Sequence, residues 1–190
     1  MNDMARIDTV SERPARFTVD EFMELATGEP IISMVGKLEL VDGVMVHMAP
    51  AHMPHFGYQR QVFRELDAIF GDGIDRWVVG QEPTVRFDNR NTREPDVCVM
   101  RFPKAGENLL PGDHVLLAVE ISDSSLKIDL GPKRKSYARF GVPHYWVVDI
   151  KGQQTHCMTG LVGGDYAERV VVPFGQPLAV PGTDQSITLR

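Results

Sequence analysis

The sequence predicts a mixed α/β or α+β sandwich built around one sheet. Three observations carry this expectation. Segments with helical and strand periodicity follow one another in the order helix, hairpin, helix, strands, helix, strand. One run, Leu116–Ile121, is almost wholly apolar, as befits a central strand covered on both faces. The chain has 190 residues, with 43% apolar and 24% charged side chains, enough for one ordinary core and unlike a disordered or disulfide-dense protein.

Each element has a local cause. Thr18-Val19-Asp20-Glu21 has the form of a capping box, so a short helix is expected over Val19–Ala26, closed by Gly28. Asp42-Gly43 separates two apolar-rich runs within Leu38–Met48, which reads as a hairpin; in its first arm Glu39 lies on the face opposite Leu38 and Leu40. His55–Phe70 repeats Val62, Phe63, Leu66, Ile69 and Phe70 at helical spacing, with Pro54 in the first turn and Gly71 beyond the end. Val78-Val79, Thr84–Phe87 and Pro95–Met100 read as strands, with a polar turn over Asn89–Thr92. After Leu116–Ile121 and the polar cluster Ser122–Ser125, a helix is expected over Leu130–Phe140. Asp129 would be its N-cap, Pro132 would fall in its first turn, and Gly141 would close it. His144–Ile150 is a further strand, and strand-like runs alternate with turns from Thr155 onward. The expected organisation is a flexible arm over residues 1–16 and a single domain over 17–190.

Lys and Arg total 20 against 26 Asp and Glu, a formal charge of −6, which disfavours nucleic-acid binding through bulk positive charge. Cys98 and Cys157 form no CxxC pair, and Cys98 sits in an apolar run as an inert buried thiol would. Met1–Arg16 contains no apolar signal-peptide core, and no run reaches the roughly 18 apolar residues of a membrane span, so a cytoplasmic protein is expected.

Glu120 interrupts the apolar run that contains it. A carboxylate there is costly unless it is paired, exposed at the strand end, or bound to metal. Asp96 stands where the Pro95–Met100 strand begins, so the two carboxylates could converge from neighbouring strands. Hard oxygen ligands of this kind suit Mg²⁺ or Mn²⁺. Between Lys127 and Phe140 lie five basic residues, Lys127, Lys133, Arg134, Lys135 and Arg139, against Asp129 alone. They form either a solvated basic face or a cation set over a phosphate.

Pro95-Asp96, Glu120-Ile121-Ser122 and Lys133 in order resemble the PD-(D/E)XK nuclease superfamily. The longer set resembles the Uma-type restriction-endonuclease family within it: Glu39–Gly43, Glu94–Val97, Val119–Ser122, Asp129, Lys133-x-x-x-Tyr137-Ala138-Arg139 and Gly141–Asp149. The resemblance covers about residues 17–190. It implies a restriction-endonuclease-like core, a central mixed sheet flanked by helices with an N-terminal hairpin and a C-terminal β extension. It implies a metal-dependent endonuclease acting on DNA, with RNA the lesser expectation. Asp96 and Glu120 would be metal ligands with the Ile121 carbonyl, Lys133 the catalytic lysine, and Glu39 an accessory acid. The superfamily lysine position is taken here by Ser122, so that role moves to Lys133, which a long flexible side chain permits. His144 stands where the family usually has Glu. Tyr137, four residues after Lys133, either positions it or packs under the sheet. Tyr145 and Trp146 are expected in the core or an interface. His52 and His55 are set aside as surface or cap residues. Arg93, Arg134 and Lys135 are candidate nucleic-acid contacts, as is Arg86. A two-fold dimer would suit cutting both strands of a duplex. The competing reading is a nuclease fold without turnover that binds nucleic acid or a protein partner.

Overall fold

A computed structural model describes residues 15–27, 37–48, 52–71 and 77–190. Of the expected N-terminal arm, residues 1–14 lie outside the described residues, as does Gly28. Helix α1 spans Val19–Thr27. Its capping box is formed as expected: the Thr18 amide donates to Glu21 Oε2 at 2.8 Å, and the Glu21 amide returns a bond to Thr18 Oγ1 at 3.3 Å. The hairpin pairs β1 (Leu38–Val41) with β2 (Val44–His47). Asp42 and Gly43 have φ of 49° and 81°, the left-handed pair that a two-residue type I′ turn requires. Helix α2 (Met53–Phe70) carries Pro54 in its first turn.

Six strands form the central sheet: β3 (Trp77–Gln81), β6 (Val97–Arg101), β8 (Val115–Ser122), β9 (His144–Asp149), β10 (Gln154–Val162) and β11 (Asp165–Pro173), in the order β11-β10-β9-β8-β6-β3. β8 and β9 are parallel and all other neighbours antiparallel, so the sheet is mixed. A smaller sheet joins β4 (Val85–Asp88), β5 (Asn91–Arg93) and β7 (Leu110–Pro111). β12 (Leu178–Ala179) and β13 (Ser186–Ile187) complete the C-terminal extension.

Two-residue alternation divides the core into two layers. Val97 and Val99 of β6, Leu117, Val119 and Ile121 of β8, and Trp146 and Val148 of β9 pack with Val62, Leu66, Ile69 and Phe70 of α2. Their neighbours Cys98, Ala118, Tyr145 and Val147 face the other way, with Tyr137, Ala138 and Val142. Glu120 shares the parity of Ala118 and therefore falls on this second side. Tyr145 and Trp146 are both core residues, as expected. Burial pushes the Cys98 thiol well above its usual range, as an inert thiol requires. His144 is half-buried with Nδ1 3.1 Å from Thr159 Oγ1. Among the described residues no helix is long and apolar enough to cross a membrane.

Two local expectations need correction. Asn91 and Thr92 do not belong to a polar turn but to the buried strand β5, and only Asn89-Arg90 turns. Their side chains are consumed by the hairpin, because Thr92 Oγ1 accepts from the Leu40 amide at 3.0 Å and Asn91 Oδ1 from the Asp42 amide at 2.8 Å. Nor does Asp129 cap a helix. Helical structure begins earlier, as α3 (Leu126–Ile128), passes through a π turn over Asp129–Lys133, and continues as α4 (Arg134–Arg139). The wider π turn holds Pro132, whose missing amide and ring disfavour a regular α turn. Gly141, at φ 81°, ends the segment in the left-handed conformation expected of it.

Candidate active site

Four carboxylates and three fixed cations converge where the C-terminal end of β8 meets β6, the hairpin and the π turn. Glu39, Asp96, Glu120 and Asp129 are all buried, as are Lys133 and Arg93. Lys37 is half-buried. Asp96, Glu120, Ile121, Asp129, Lys133 and Lys37 line one cleft of about 310 Å³.

Glu120 arrives at the site because alternation near the C-terminal end of the central strand carries it to the face over α4. Its Oε2 accepts from Lys133 Nζ at 2.9 Å and its Oε1 from the Tyr137 hydroxyl at 2.8 Å. The one-turn spacing of Lys133 and Tyr137 thus makes them grip the same carboxylate from one helical face. Tyr137 also packs under the sheet, fully buried against Tyr145 with ring centroids 4.9 Å apart. Burial and the neighbouring Asp96 and Asp129 charges outweigh Lys133 and push the Glu120 carboxyl up to about 7.

Asp96 is held differently. Its Oδ2 accepts from the Ile121 amide at 2.7 Å and lies 3.0 Å from His55 Nε2, while Oδ1 is 3.4 Å from Lys37 Nζ. Gln59, one turn after His55 on α2, donates to the Asp96 main-chain carbonyl at 3.0 Å. Burial opposes ionisation of Asp96, but the His55 bond, the Lys37 charge and the Ile121 amide outweigh it and hold the carboxyl below its usual range. The same contact raises His55 above its ordinary value despite burial.

Glu39, fully buried, takes Arg93 Nη1 on Oε2 at 2.7 Å and the Glu94 amide on Oε1 at 3.2 Å, with Lys133 Nζ 3.7 Å from Oε1. Burial would raise its pKa, and the Lys133 and Arg93 charges bring it below the usual range instead. Asp129, 4.0 Å from Lys133 across one helical turn, also accepts from the Ser125 hydroxyl. Ser122 Oγ lies 3.4 Å from Ser125 Oγ in the same polar corner. Burial would lower the Lys133 pKa, and the Glu120, Glu39 and Asp129 charges together raise it.

The structure therefore brings Glu39, Asp96, Glu120, Ile121, Ser122, Lys133 and Tyr137 together. It does not leave Arg93 for nucleic acid: 6% exposed, that guanidinium is the counter-ion of Glu39 and also donates to Ser136 Oγ at 3.2 Å. Arg134 is engaged by Asp165 at 2.8 Å and Arg86 by Asp20 at 2.9 Å. Lys135 is exposed but does not line the cleft. Lys37, His55, Gln59 and Asp129 join the site beyond the expected set, and His52 lines the cleft from the start of α2. Lys37 was detectable in principle, since it shares strand parity with Glu39 two residues on; so was Gln59, by its one-turn spacing from His55.

Among the described residues no group of three or more His, Cys, Asp or Glu side chains is arranged to hold a metal ion. Mg²⁺ does not need one, because it keeps several waters and is commonly bound through one or two carboxylates. Asp96 and Glu120 open on one cleft as hard oxygen donors, with Ile121 beside them, and this donor set fits such an ion.

No curated protein matches the chain. Among solved structures it is similar to a "putative nuclease belonging to DUF820" from Anabaena variabilis ATCC 29413, with a TM-score of 0.64 and 19% identity over 87% of this chain and 89% of that one. That likeness is one of fold. Residues 19–190, nearly the whole chain and every element of the cleft, match the Uma2 family, described as "Putative restriction endonuclease", and the chain belongs to that family.

Proposed function

We propose that the chain is a metal-dependent endonuclease that hydrolyses phosphodiester bonds of DNA at the Asp96–Glu120 cleft. The observation that carries this reading is the pairing of two buried carboxylates from adjacent central strands with a lysine on one of them, in a chain of a restriction-endonuclease family. Asp96, Glu120 and the Ile121 carbonyl would hold Mg²⁺ or Mn²⁺. Such an ion supplies Lewis-acid polarisation of a phosphoryl oxygen and a water of lowered pKa.

The remaining roles belong to the protein. His55 and the Ile121 amide fix Asp96 Oδ2, so that carboxylate is oriented before any ligand arrives. Tyr137 and Lys133 fix both oxygens of Glu120. Lys133 keeps its proton and presents positive charge on the Glu120 side of the cleft, where it orients the attacking water or stabilises charge developing on the phosphoryl oxygens. Glu39 and Asp129 keep the lysine ammonium in place.

The test is nicking of supercoiled plasmid with Mg²⁺ or Mn²⁺, against EDTA, for wild type and Asp96→Ala. Metal-dependent nicking by the wild type that falls at least about 100-fold in Asp96→Ala is expected for loss of an essential ligand or its support. Equal residual activity in the two proteins refutes the reading. Cleavage of a matched RNA in preference to DNA would move the substrate class and leave the site unchanged.

A further inference from the structure

Two ammonium groups reach the cleft, and their surroundings differ. Lys133 Nζ has three carboxylates around it, Glu120 at 2.9 Å, Glu39 at 3.7 Å and Asp129 at 4.0 Å, and its side chain is 4% exposed. Its hydrogen bond among the described residues goes to Glu120 Oε2, and Glu39 and Asp129 hold it by charge at longer range. Lys37 stands just before β1 and lines the same cleft with a side chain that is 22% exposed. Among the described residues its ammonium donates to Asp96 Oδ1, at 3.4 Å. That is well beyond the roughly 2.7–2.9 Å of a strong charge-assisted hydrogen bond.

Asp96 does not depend on Lys37 for its orientation. The Ile121 amide and His55 hold Oδ2, and Gln59 holds the main-chain carbonyl. Lys37 is thus a partly exposed cation lining the cleft, with one long hydrogen bond from its ammonium among the described residues, beside a carboxylate that other groups already position. Lys133 lines the cleft too, but the Glu120, Glu39 and Asp129 charges around its ammonium disfavour a further anion there.

Resting on the phosphodiesterase reading, we propose that Lys37 is the phosphate-binding residue of the site: its ammonium donates to a non-bridging oxygen of the phosphodiester in the cleft, while Lys133 acts from the Glu120 side. The site then has two lysines with separate duties, one on the substrate and one on the carboxylate. Lysine suits the substrate duty as a point charge that tolerates every base, which fits contact with backbone rather than sequence.

The experiment measures binding without turnover. The 190-residue chain is titrated onto a fluorescein-labelled duplex of about 20 base pairs in Ca²⁺, by anisotropy, at KCl concentrations from about 50 to 200 mM, where each phosphate contact contributes about 0.9 to the slope of log K against log[KCl]. Lys37→Gln is expected to flatten that slope by about 0.9, and to weaken binding equally on duplexes of unrelated sequence. Lys37→Arg, which keeps the charge, should retain the wild-type slope. A Lys37→Gln variant that melts like wild type yet shows the wild-type slope overturns the proposal. Wild-type protein that binds with a Lys37-dependent slope but never nicks plasmid removes the hydrolase and leaves the phosphate contact standing. Absence of wild-type binding even at about 50 mM salt overturns both.

Discussion

Lys133 shows how one residue can be indispensable to the fold and to the proposed chemistry for the same reason. Burying an ammonium is costly, and here three carboxylates offset that cost while each needs the lysine in return. Replacing it with Met would preserve much of the volume but leave Glu120 and its neighbours without their shared counter-ion. Lys133→Met is expected to cost about 3–5 kcal/mol, the loss typical when one partner of a buried pair is removed. Urea denaturation in EDTA measures it. Glu120 supplies the shortest of the three contacts, so adding Glu120→Gln should recover part of the loss, as coupled neighbours do in a double-mutant cycle. A double variant no more stable than Lys133→Met alone would mean that the uncompensated charge lies on Glu39 or Asp129 instead.

At the scale of elements, the antiparallel ladder β9-β10-β11 carries its own charge arrangement away from the cleft. His156 of β10 is buried, accepts from Arg169 of β11 on Nδ1 at 2.8 Å, and has Nε2 3.8 Å from Asp149 of β9. Burial first, and the Arg169 charge second, hold its pKa below the ordinary histidine value, outweighing Asp149. A histidine whose folded pKa is depressed favours the fold in its neutral form. Its contribution is complete above the unfolded value of about 6.5 and is lost as pH falls from there toward the folded value. His156→Gln, whose amide oxygen can still accept from Arg169, should therefore lose less stability than wild type between about pH 7.5 and 5.5. Urea midpoints at the two pH values test it, and equal losses in both proteins would show that His156 does not titrate across the unfolding transition. Other elements follow from local sequence alone. β8, β9, α2 and the hairpin are legible because alternation, helical spacing and Asp-Gly are local signals with one meaning each. Asp129 is ambiguous because its signal has two meanings: an acid before a helical run reads as an N-cap, yet an acid four residues before a lysine is also an intrahelical partner, and the π turn makes the second true. Arg93 reads as a surface cation until the hairpin brings Glu39 against it. Lys37 and His55 reach Asp96 across 59 and 41 residues of sequence, so although parity sets Lys37 beside Glu39, no local signal ties either residue to Asp96.

Over the whole molecule, the formal charge of −6 is less informative than where its buried part resides. Glu39, Asp96, Glu120 and Asp129 face Lys37, Arg93 and Lys133, so the cluster carries one more acid than fixed cation, with His55 as a titratable addition. The mixed sheet makes this concentration unavoidable, because β6 and β8 deliver Asp96 and Glu120 into one cleft while the hairpin and π turn supply Glu39 and Asp129 from either side. Crowding four carboxylates into a low-dielectric cleft is a cost borne by the native state alone, visible in the raised Glu120 and Asp129 carboxyls, since unfolding returns each to water. A divalent cation at Asp96 and Glu120 would reverse that balance and bind the folded chain in preference to the unfolded one. Linkage then requires stabilisation, about 2.7 kcal/mol at a hundredfold excess over the dissociation constant. The expected outcome is a higher Tm in MgCl₂ or MnCl₂ than in EDTA with KCl added to equal ionic strength, and no such gain in Asp96→Asn. Matching the ionic strength matters, because general screening would raise Tm for any salt, whereas a bound ion needs the ligand. The measurement does not require turnover, so it bears on the metal site even in a chain whose plasmid substrate is wrong. Identical Tm values for wild type in the two buffers would remove the divalent ion from the proposed chemistry and leave the cleft as a lysine-neutralised cluster.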